Sequence, residues 1–177
     1  PGLAARWGFC VGPGGIYYVA KDNIRVTTGD ASEILSDSIR PLFNGQSANG
    51  YLPIDWTAEA NIRLALYGLG LWFLCKDTGG TVRCLIYSLI YKYWRSYSFA
   101  HLPQVIYEDE TTQQDLAATQ MFMGDSAGIA YTHAGYTDDG TPIPFSCRTG
   151  AWDFGQPRQD KLLGDLIVDA NLNGTVL

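Results

Sequence analysis

The cysteines and histidines are the first candidates for chemistry, because these residues bind metal ions and carry nucleophilic catalysis. No CxxC pair occurs, and the histidines lie far in sequence from the cysteines, which are Cys10, Cys75, Cys84 and Cys147. Zinc sites usually show closely spaced ligand pairs, so we expect no metal site. Cys75 and Cys84 lie in apolar runs and are expected to pack as small buried residues, and a disulfide between them across the turn at 76–83 stays open. A catalytic triad cannot be assembled around His101 or His133, so both are expected to be surface or packed residues.

The carboxylates form two groups, Glu108-Asp109-Glu110 and Asp138-Asp139. Paired carboxylates carry glycosidase chemistry, but both groups fall in segments that we expect to be solvated loops. Asp138-Asp139-Gly140 has oxygen ligands for Ca²⁺, yet as a turn signal it needs no ion. The glycine-rich segment 12–15 lacks the following helix and the Lys-Ser/Thr pair of a phosphate-binding loop, so a plain turn is expected. The sequence therefore predicts no enzyme, no cofactor and no catalytic or metal-binding residue.

An aromatic stripe runs along residues 91–99 (YKYWRSYSF), with Tyr91, Tyr93 and Tyr97 on one face and Trp94 on the other. Exposed rings in such a stripe would form a platform for sugars. Alternating positions on a strand favour packing instead, and we expect Trp94 and Phe73 to fill the cores of blade-like sheets, where truncation of a large side chain costs ~3–5 kcal/mol.

The composition favours an all-β fold. Aromatic residues make up 13% of the chain, with 20 Gly and 8 Pro, which suits short strands joined by turns. With a net charge of −6, the chain lacks the basic surface that binding to nucleic acid phosphates requires. The most apolar stretch, 64–75, is interrupted by Gly68 and Gly70 and is shorter than the ~20 residues of a membrane helix, so no membrane span is expected.

Alternating apolar residues and turn signals predict a series of short strands. We place them at 7–12, 16–21, 24–28, 60–67, 69–76, 81–89, 91–99, 105–108, 120–123, 129–133, 144–152 and 162–170. Ser32 is expected to cap a short helical turn, and a second turn at 36–43 is expected to break at Pro41. Segments 44–55 and 136–142 are predicted loops.

An internal repeat is the main sign of organisation. Residues 15–22 (GIYYVAKD) and 70–77 (GLWFLCKD), 55 positions apart, share the order glycine, aliphatic, two aromatics, aliphatic, small, Lys, Asp. A weaker copy follows at 120–125 (QMFMGD). This spacing is typical of β-propeller blades, each a four-stranded antiparallel sheet. We expect blade-like units at about 7–44, 56–100 and 104–154, and the start of a further strand set at 155–177. A two-sheet sandwich is the alternative.

Several segments follow one another in a recognisable order: the hairpin 15–28, the following 32–39, the pair 86–88 with Trp94, the stretch 122–131, and the closing runs 138–143, 148–150 and 155–161. This order resembles the propeller-containing structural proteins of tailed bacteriophages, the nozzle or hub type in particular. Pro1 at the start and the turn before Leu177 suggest to us a window cut from a longer protein.

The resemblance implies an architectural role without catalysis in the virion tail. It implies partners among other tail proteins (the tube or adaptor, fibre or portal-side components), a homo-oligomeric ring, and a channel through which genomic DNA passes without specific binding. Two alternatives stay open. One is a carbohydrate-contacting propeller of a receptor-binding or hydrolase protein, and the other is a cellular propeller scaffold that binds proteins.

Overall fold

The computed structural model of the chain describes residues 2–99, 103–108, 121–133, 137–138 and 140–142. The chain divides into two compact units, Pro1–Ile143 and Pro144–Leu177, and every described residue belongs to the first. The strands expected at 144–152 and 162–170, and the strand set at 155–177, lie outside the described residues.

The first sheet, sheet 1, is a four-stranded antiparallel meander in chain order. Its strands are β1 (Phe9–Gly12), β2 (Gly15–Val19), β3 (Ile24–Thr27) and β4 (Ser32–Ile34). The turn from β1 to β2 requires glycine, because Gly15 has φ +127° and a Cβ there would collide with the carbonyl oxygen of Thr27. The turn at Asp22 and Asn23 joins β2 to β3, as the sequence predicts.

The helical segments differ from the expectation at two residues. Ser32 starts β4 and does not cap a helix, because its backbone pairs with Thr27 at the edge of β3. Pro41 does not break the helical turn. It occupies the first turn of α1 (Arg40–Phe43), where its missing N–H has no intrahelical acceptor to lose. Short 3-10 helices precede α1 at Asp37–Ile39 and follow it at Trp56–Asn61.

Sheet 2 has the same antiparallel order. Its strands are β5 (Arg63–Tyr67), β6 (Gly70–Lys76), β7 (Val82–Ser88) and β8 (Trp94–Tyr97). The last strand begins later than expected, at Trp94, because Lys92 has a left-handed backbone with φ +59° that interrupts extended structure. Tyr91 and Tyr93 therefore lie before the strand and not on it.

Sheet 3 consists of three antiparallel strands in the order β11-β10-β9. They are β9 (Val105–Glu108), β10 (Met121–Gly124) and β11 (Ala130–Thr132). The segment predicted as a loop at 136–142 contains a small hairpin, in which β12 (Thr137–Asp138) pairs with β13 (Thr141–Pro142). Gly140, in the turn of this hairpin, has φ +76°, a conformation that glycine adopts without strain.

The three sheets stack face to face, and sheet 2 lies in the middle. One apolar cluster joins sheet 1 to sheet 2 and includes Val19, Ile24 and Phe73. A second cluster joins the opposite face of sheet 2 to sheet 3 and includes Trp72, Ile86 and Met121. Because both of its faces are covered, sheet 2 is apolar on both sides, and β6 has no polar–apolar alternation.

The first strands of the three sheets lie side by side, β1 next to β5 and β5 next to β9. The Leu64 N–H donates to the carbonyl oxygen of Trp7 at 3.2 Å, just before β1. At the other side, Asn61 Nδ2 donates to Gln104 Oε1 at 2.6 Å, so the residues that precede β5 and β9 also meet. The sheets are thus joined along their first strands as well as through their faces.

The predicted all-β class is confirmed, since the described part of the chain is mostly antiparallel sheet with only short helices. The described sheets do not close on themselves, and three stacked layers also differ from a two-sheet sandwich. Among the described residues, no helix has the length and apolar character needed to cross a membrane.

Candidate functional site: the free faces of the outer sheets

The repeat found in the sequence forms the second strand of each sheet, β2, β6 and β10, together with the turn that follows. Side chains alternate along these strands, so neighbouring positions face opposite layers. We call the face that a sheet turns toward the next sheet in chain order its front face, and the opposite face its back face. In sheet 2, Leu71 and Phe73 are on the back face, while Trp72 and Leu74 are on the front face.

Equivalent repeat positions face the same way in all three sheets. Tyr17 and Val19 of sheet 1, 55 positions before Trp72 and Leu74, pack forward onto sheet 2. Met121 and Met123 of sheet 3, 48 positions after Phe73 and Cys75, pack backward onto sheet 2. Both junctions therefore join the front face of one sheet to the back face of the next.

This order leaves two faces without a partner sheet among the described residues. The back face of sheet 1 carries Phe9, Val11, Ile16 and Tyr18, which share one side through the pairs Phe9–Tyr18 and Val11–Ile16. Val11 is 71% exposed and Ile16 is 46% exposed. Contiguous exposed apolar residues, unlike single ones, are typical of contact surfaces.

The front face of sheet 3 is similar. Val105 and Tyr107 of β9 share a side with Phe122 of β10, as their pairing with Gly124 and Phe122 requires. Tyr107 is 57% exposed. Both ends of the described stack thus carry exposed aromatic and aliphatic side chains with no partner sheet among the described residues, and these two faces are the candidate functional site.

Two aspartates of the repeat build the same turn. Asp77 Oδ1 accepts from the backbone N–H groups of Gly79 at 3.0 Å and Thr81 at 2.9 Å, and Oδ2 accepts from Arg83 Nε at 2.7 Å. Asp125 Oδ1 accepts in the same spacing from Ala127 at 2.8 Å and Ile129 at 3.0 Å, and Oδ2 accepts from the Tyr131 hydroxyl at 3.2 Å. Both aspartates therefore hold a turn.

Burial by itself raises the pKa of Asp77, which is almost completely buried. The hydrogen bond from Arg83 and those from the backbone N–H groups of Thr81 and Gly79 outweigh burial, and the net pKa is lowered. The carboxylate is thus held in its charged form by structural partners.

His133 lies among three rings at the junction of sheets 2 and 3. Its ring centroid is 5.2 Å from that of Trp72, 5.8 Å from Tyr67 and 5.9 Å from Tyr97. Burial lowers the pKa of this half-buried imidazole, and the charge of Arg95 lowers it further. The sequence predicts that His133 is a surface or packed residue, and the structure places it in an aromatic cluster between two sheets.

The cysteines do not form the disulfide that the sequence leaves open. Leu74 pairs with Cys84 across β6 and β7, so Cys75 points to the back face and Cys84 to the front face. Burial raises the pKa of each thiol to about 12, which suits inert packed residues. Cys10 is partly buried, and Cys147 lies outside the described residues.

The aromatic stripe is divided by the structure. Trp94 is partly buried, its ring lies 5.2 Å from Tyr87, and its Nε1 donates to the carbonyl oxygen of Leu35 at 2.9 Å. Tyr97 packs at the junction with sheet 3. Tyr91 and Tyr93 are exposed by 73% and 49%, with ring centroids 6.2 Å apart. The four rings therefore do not form one platform.

The remaining candidate residues fall in a turn, at a strand end or outside the described residues. Residues 12–15 form the β1–β2 turn, and Glu108 ends β9. Asp109, Glu110, Asp139 and His101 lie outside the described residues. Within the described part of the chain, no three His, Cys, Asp or Glu side chains converge on a point where they could hold a metal ion.

A cleft of about 330 Å³ lies beside the outer strands of sheet 2. Tyr51, Arg83, Tyr97 and Phe99 are among its lining residues. The guanidinium carbon of Arg83 lies 5.5 Å from the centroid of the Tyr51 ring, and the same guanidinium is paired with Asp77. The described lining includes no carboxylate pair of the kind that glycoside hydrolysis requires.

Comparison with known proteins finds no matching family model, no matching curated protein and no matching solved structure.

Proposed function

We propose that the three sheets are consecutive blades of a β-propeller. Three features support this arrangement: antiparallel meanders in chain order, front-to-back junctions, and first strands that lie side by side. In a propeller, the first strand of each blade lies nearest the axis, so that first strands of neighbouring blades meet. Each blade then needs a neighbour on both faces, a requirement that only sheet 2 meets among the described residues.

We further propose that the chain acts as an architectural part of a bacteriophage tail, in the nozzle, hub or stabilising ring around the DNA exit channel. The observation that carries an architectural function is the pair of exposed apolar faces, because surfaces of this type mark protein–protein contacts. The assignment to a tail rests on the resemblance of the segments named above. A net charge of −6 is consistent with a channel wall past which DNA moves without binding, because an acidic surface does not attract phosphates.

Virus particles from the source of this gene test the tail proposal. Antibodies raised against the chain, detected by immunogold in electron micrographs, should label the tail, and cryo-electron microscopy should place the chain in a ring around the channel. Labelling of the capsid, or of no part of the particle, would contradict the proposal.

A carbohydrate-contacting function is the second candidate, and the exposed pair Tyr91 and Tyr93 favours it. Aromatic rings in solvent stack on the apolar faces of sugars, and these two rings are neighbours. A glycan array probed with the chain should show binding that Tyr91→Ala and Tyr93→Ala remove. Binding that survives both substitutions would place any sugar site elsewhere, and an array without signal would remove this candidate.

A further inference from the structure

We propose that Asn49 is a site of spontaneous deamidation, at which the backbone nitrogen of Gly50 displaces the side-chain amide. The chain contains three Asn-Gly pairs, at 44–45, 49–50 and 173–174, and the third lies outside the described residues. Deamidation at position 49 needs only the chain itself and water, so it is independent of the architectural function proposed above.

Asn49 and Gly50 are the central residues of a two-residue turn. On either side of them, Ala48 and Tyr51 form an isolated antiparallel bridge. The Ala48 N–H donates to the Tyr51 carbonyl oxygen at 3.1 Å, and the Tyr51 N–H donates to the Ala48 carbonyl oxygen at 2.9 Å. Both central residues have positive φ, +53° at Asn49 and +81° at Gly50, as a type I′ turn requires. The turn therefore selects an Asn-Gly pair for its backbone geometry, and the chemistry of that pair comes with it.

The reactive atoms of this pair are close in the chain and have room to meet. Attack by the Gly50 nitrogen on Cγ of Asn49 closes a five-membered ring. Glycine favours this attack, because no side chain shields its nitrogen or restricts its backbone. Among the described residues, nothing lies within 4 Å of the position that a Cβ at Gly50 would take. The N–H of Gly50 takes part in neither hydrogen bond of the bridge, so the bonds that hold the turn leave the nucleophile unengaged.

The pair at 44–45 is more firmly held. It follows α1, and the N–H groups of Asn44 and Gln46 both donate to the carbonyl oxygen of Pro41, at 3.1 Å and 2.9 Å. These bonds attach the pair to a helical turn that ends at the buried Phe43. Opening a packed helix end requires more free energy than opening a two-residue turn that a single bridge closes. In the folded chain, the pair at 49–50 should therefore react first.

The reaction has two steps. The Gly50 nitrogen forms a bond to Cγ of Asn49 and loses its proton, and the side-chain nitrogen leaves as ammonia, which gives a cyclic imide. Water then opens the imide at one of its two carbonyls. Opening at Cγ gives an aspartate in an unchanged main chain. Opening at the backbone carbonyl gives an isoaspartate, in which the main chain passes through Cβ and Cγ and is one carbon longer.

The isoaspartate changes the turn and the cleft beside it. One extra main-chain carbon in a two-residue turn moves Ala48 and Tyr51 out of register, so the bridge cannot keep both hydrogen bonds. Tyr51 also lines the cleft beside the outer strands of sheet 2, where its ring neighbours the guanidinium of Arg83. Modification should therefore displace Tyr51 and alter the wall of this cleft.

The experiment incubates the folded 177-residue chain at mildly alkaline pH, where the backbone nitrogen loses its proton more readily. Peptide mapping with electron-transfer fragmentation distinguishes aspartate from isoaspartate and assigns each product to its position. Conversion at Asn49 should be severalfold faster than at Asn44, and it should slow as the pH is lowered. In urea, where neither pair is held by the fold, the two rates should become similar.

Three results would overturn the proposal. The first is a folded chain in which Asn49 is not converted. The second is conversion at Asn44 that equals or exceeds conversion at Asn49. The third is a difference between the two positions that persists in urea, because it would mean that the turn does not select the site.

Asn49→Gln is the test variant, since attack on a glutamine amide would have to close a less favourable six-membered ring. It should remove conversion at position 49, whereas the matched variant Asn44→Gln should leave it unchanged. Circular dichroism should show that both variants are folded. The modified wild-type chain carries one more negative charge, so anion exchange separates it. In its isoaspartate form the Tyr51 amide should exchange hydrogen faster than in the unmodified chain, and an unchanged rate would contradict the displacement of Tyr51.

Discussion

Phe73 and Trp94 show how differently two large side chains of one sheet are used. Phe73 is fully buried and stacks on Phe43, with ring centroids 5.8 Å apart and an interplanar angle of 16°. Trp94 keeps part of its ring in solvent and reaches back to Leu35, which follows β4 of the preceding sheet. The tryptophan therefore connects sheet 2 to sheet 1, whereas the sequence predicts only that it fills a core.

Phe73→Ala should lower the free energy of unfolding by ~3–5 kcal/mol, because it leaves a cavity between two sheets. Trp94→Ala should cost less than Phe73→Ala but more than ~1 kcal/mol, since its ring is only partly buried. Urea unfolding of both variants measures this order, with Tyr91→Ala as an exposed control that should change little. A Trp94→Ala loss below ~1 kcal/mol would mean that the indole does not join the sheets.

Asp77 and Asp125 make a matched pair for a second prediction at this scale. Asp77→Ala should cost about 3 kcal/mol, the lower end for breaking a buried ion pair, because Arg83 remains partly in contact with water. Asp125→Ala should cost about 1 kcal/mol, as its turn is exposed. Chemical denaturation compares the two, and equal losses would show that the pairing with Arg83 adds nothing.

The same carboxylate gives a pH dependence. The folded pKa of Asp77 is lowered from its ordinary value of 3.8, so its contribution to stability is present above about pH 4 and is lost as the pH falls through the folded pKa. Asp77→Asn keeps an oxygen acceptor for the backbone N–H groups, and it should remove part of this acid sensitivity.

At the scale of elements, the repeat predicted the hairpins well. Strands β2 and β6 follow their copies of the pattern closely, and β10 follows the third. The short strand β4 could not be predicted, because Ser32 favours a helix cap locally and only the unpaired edge of β3 makes it a strand. The late start of β8 depends on the left-handed backbone at Lys92, which the sequence does not reveal.

The directions of the faces could not be predicted either. In the segment 71–75, aliphatic, aromatic and small residues follow one another without alternation, and all are buried. A strand covered on both sides gives no sign of which side chain faces which layer. The aromatic cluster around His133 was missed for the same reason, because it forms only where β6, β8 and the end of β11 meet.

This cluster predicts a second pH dependence, at the junction of sheets 2 and 3. Because the folded pKa of His133 is lowered from 6.5, the unfolded chain binds the proton more tightly. Stability should therefore fall as the pH is lowered below about 6.5, well above the range in which Asp77 acts. Thermal unfolding between pH 7 and 5 should show this fall, and His133→Phe should remove it.

His101→Gln is the matched control, since the chain has two histidines. If the fall in stability between pH 7 and 5 disappears with His101→Gln and stays with His133→Phe, the aromatic cluster is not its source.

At the scale of the whole molecule, the central position of sheet 2 sets the distribution of stability. Its strands β6 and β7 are covered on both faces, while β1 and β11 belong to sheets that have one face without a partner sheet among the described residues. Amide hydrogen exchange should be slowest in β6 and β7 and faster in β1 and β11. Slowest exchange in β1 would contradict this order and would indicate that the back face of sheet 1 is covered in solution.

The sequence assigned no site, and the reason lies at this scale. Val11 and Ile16 have the character of ordinary strand residues, and nothing in their type marks a contact surface. They become a candidate interface only because the stack leaves their face uncovered while the equivalent face of sheet 2 is filled. Such a surface is a property of the arrangement of sheets and not of any short motif.

The front-to-back order has a consequence for the history of such a chain. Every junction joins a front face to a back face. When a unit is duplicated or deleted, the sheets on either side of it therefore still join a front face to a back face. Gain or loss of a whole repeat, near 50 residues, creates no mismatched surface, whereas loss of a single strand would expose both neighbours. Lineages that carry this fold are therefore free to vary in length by complete modules.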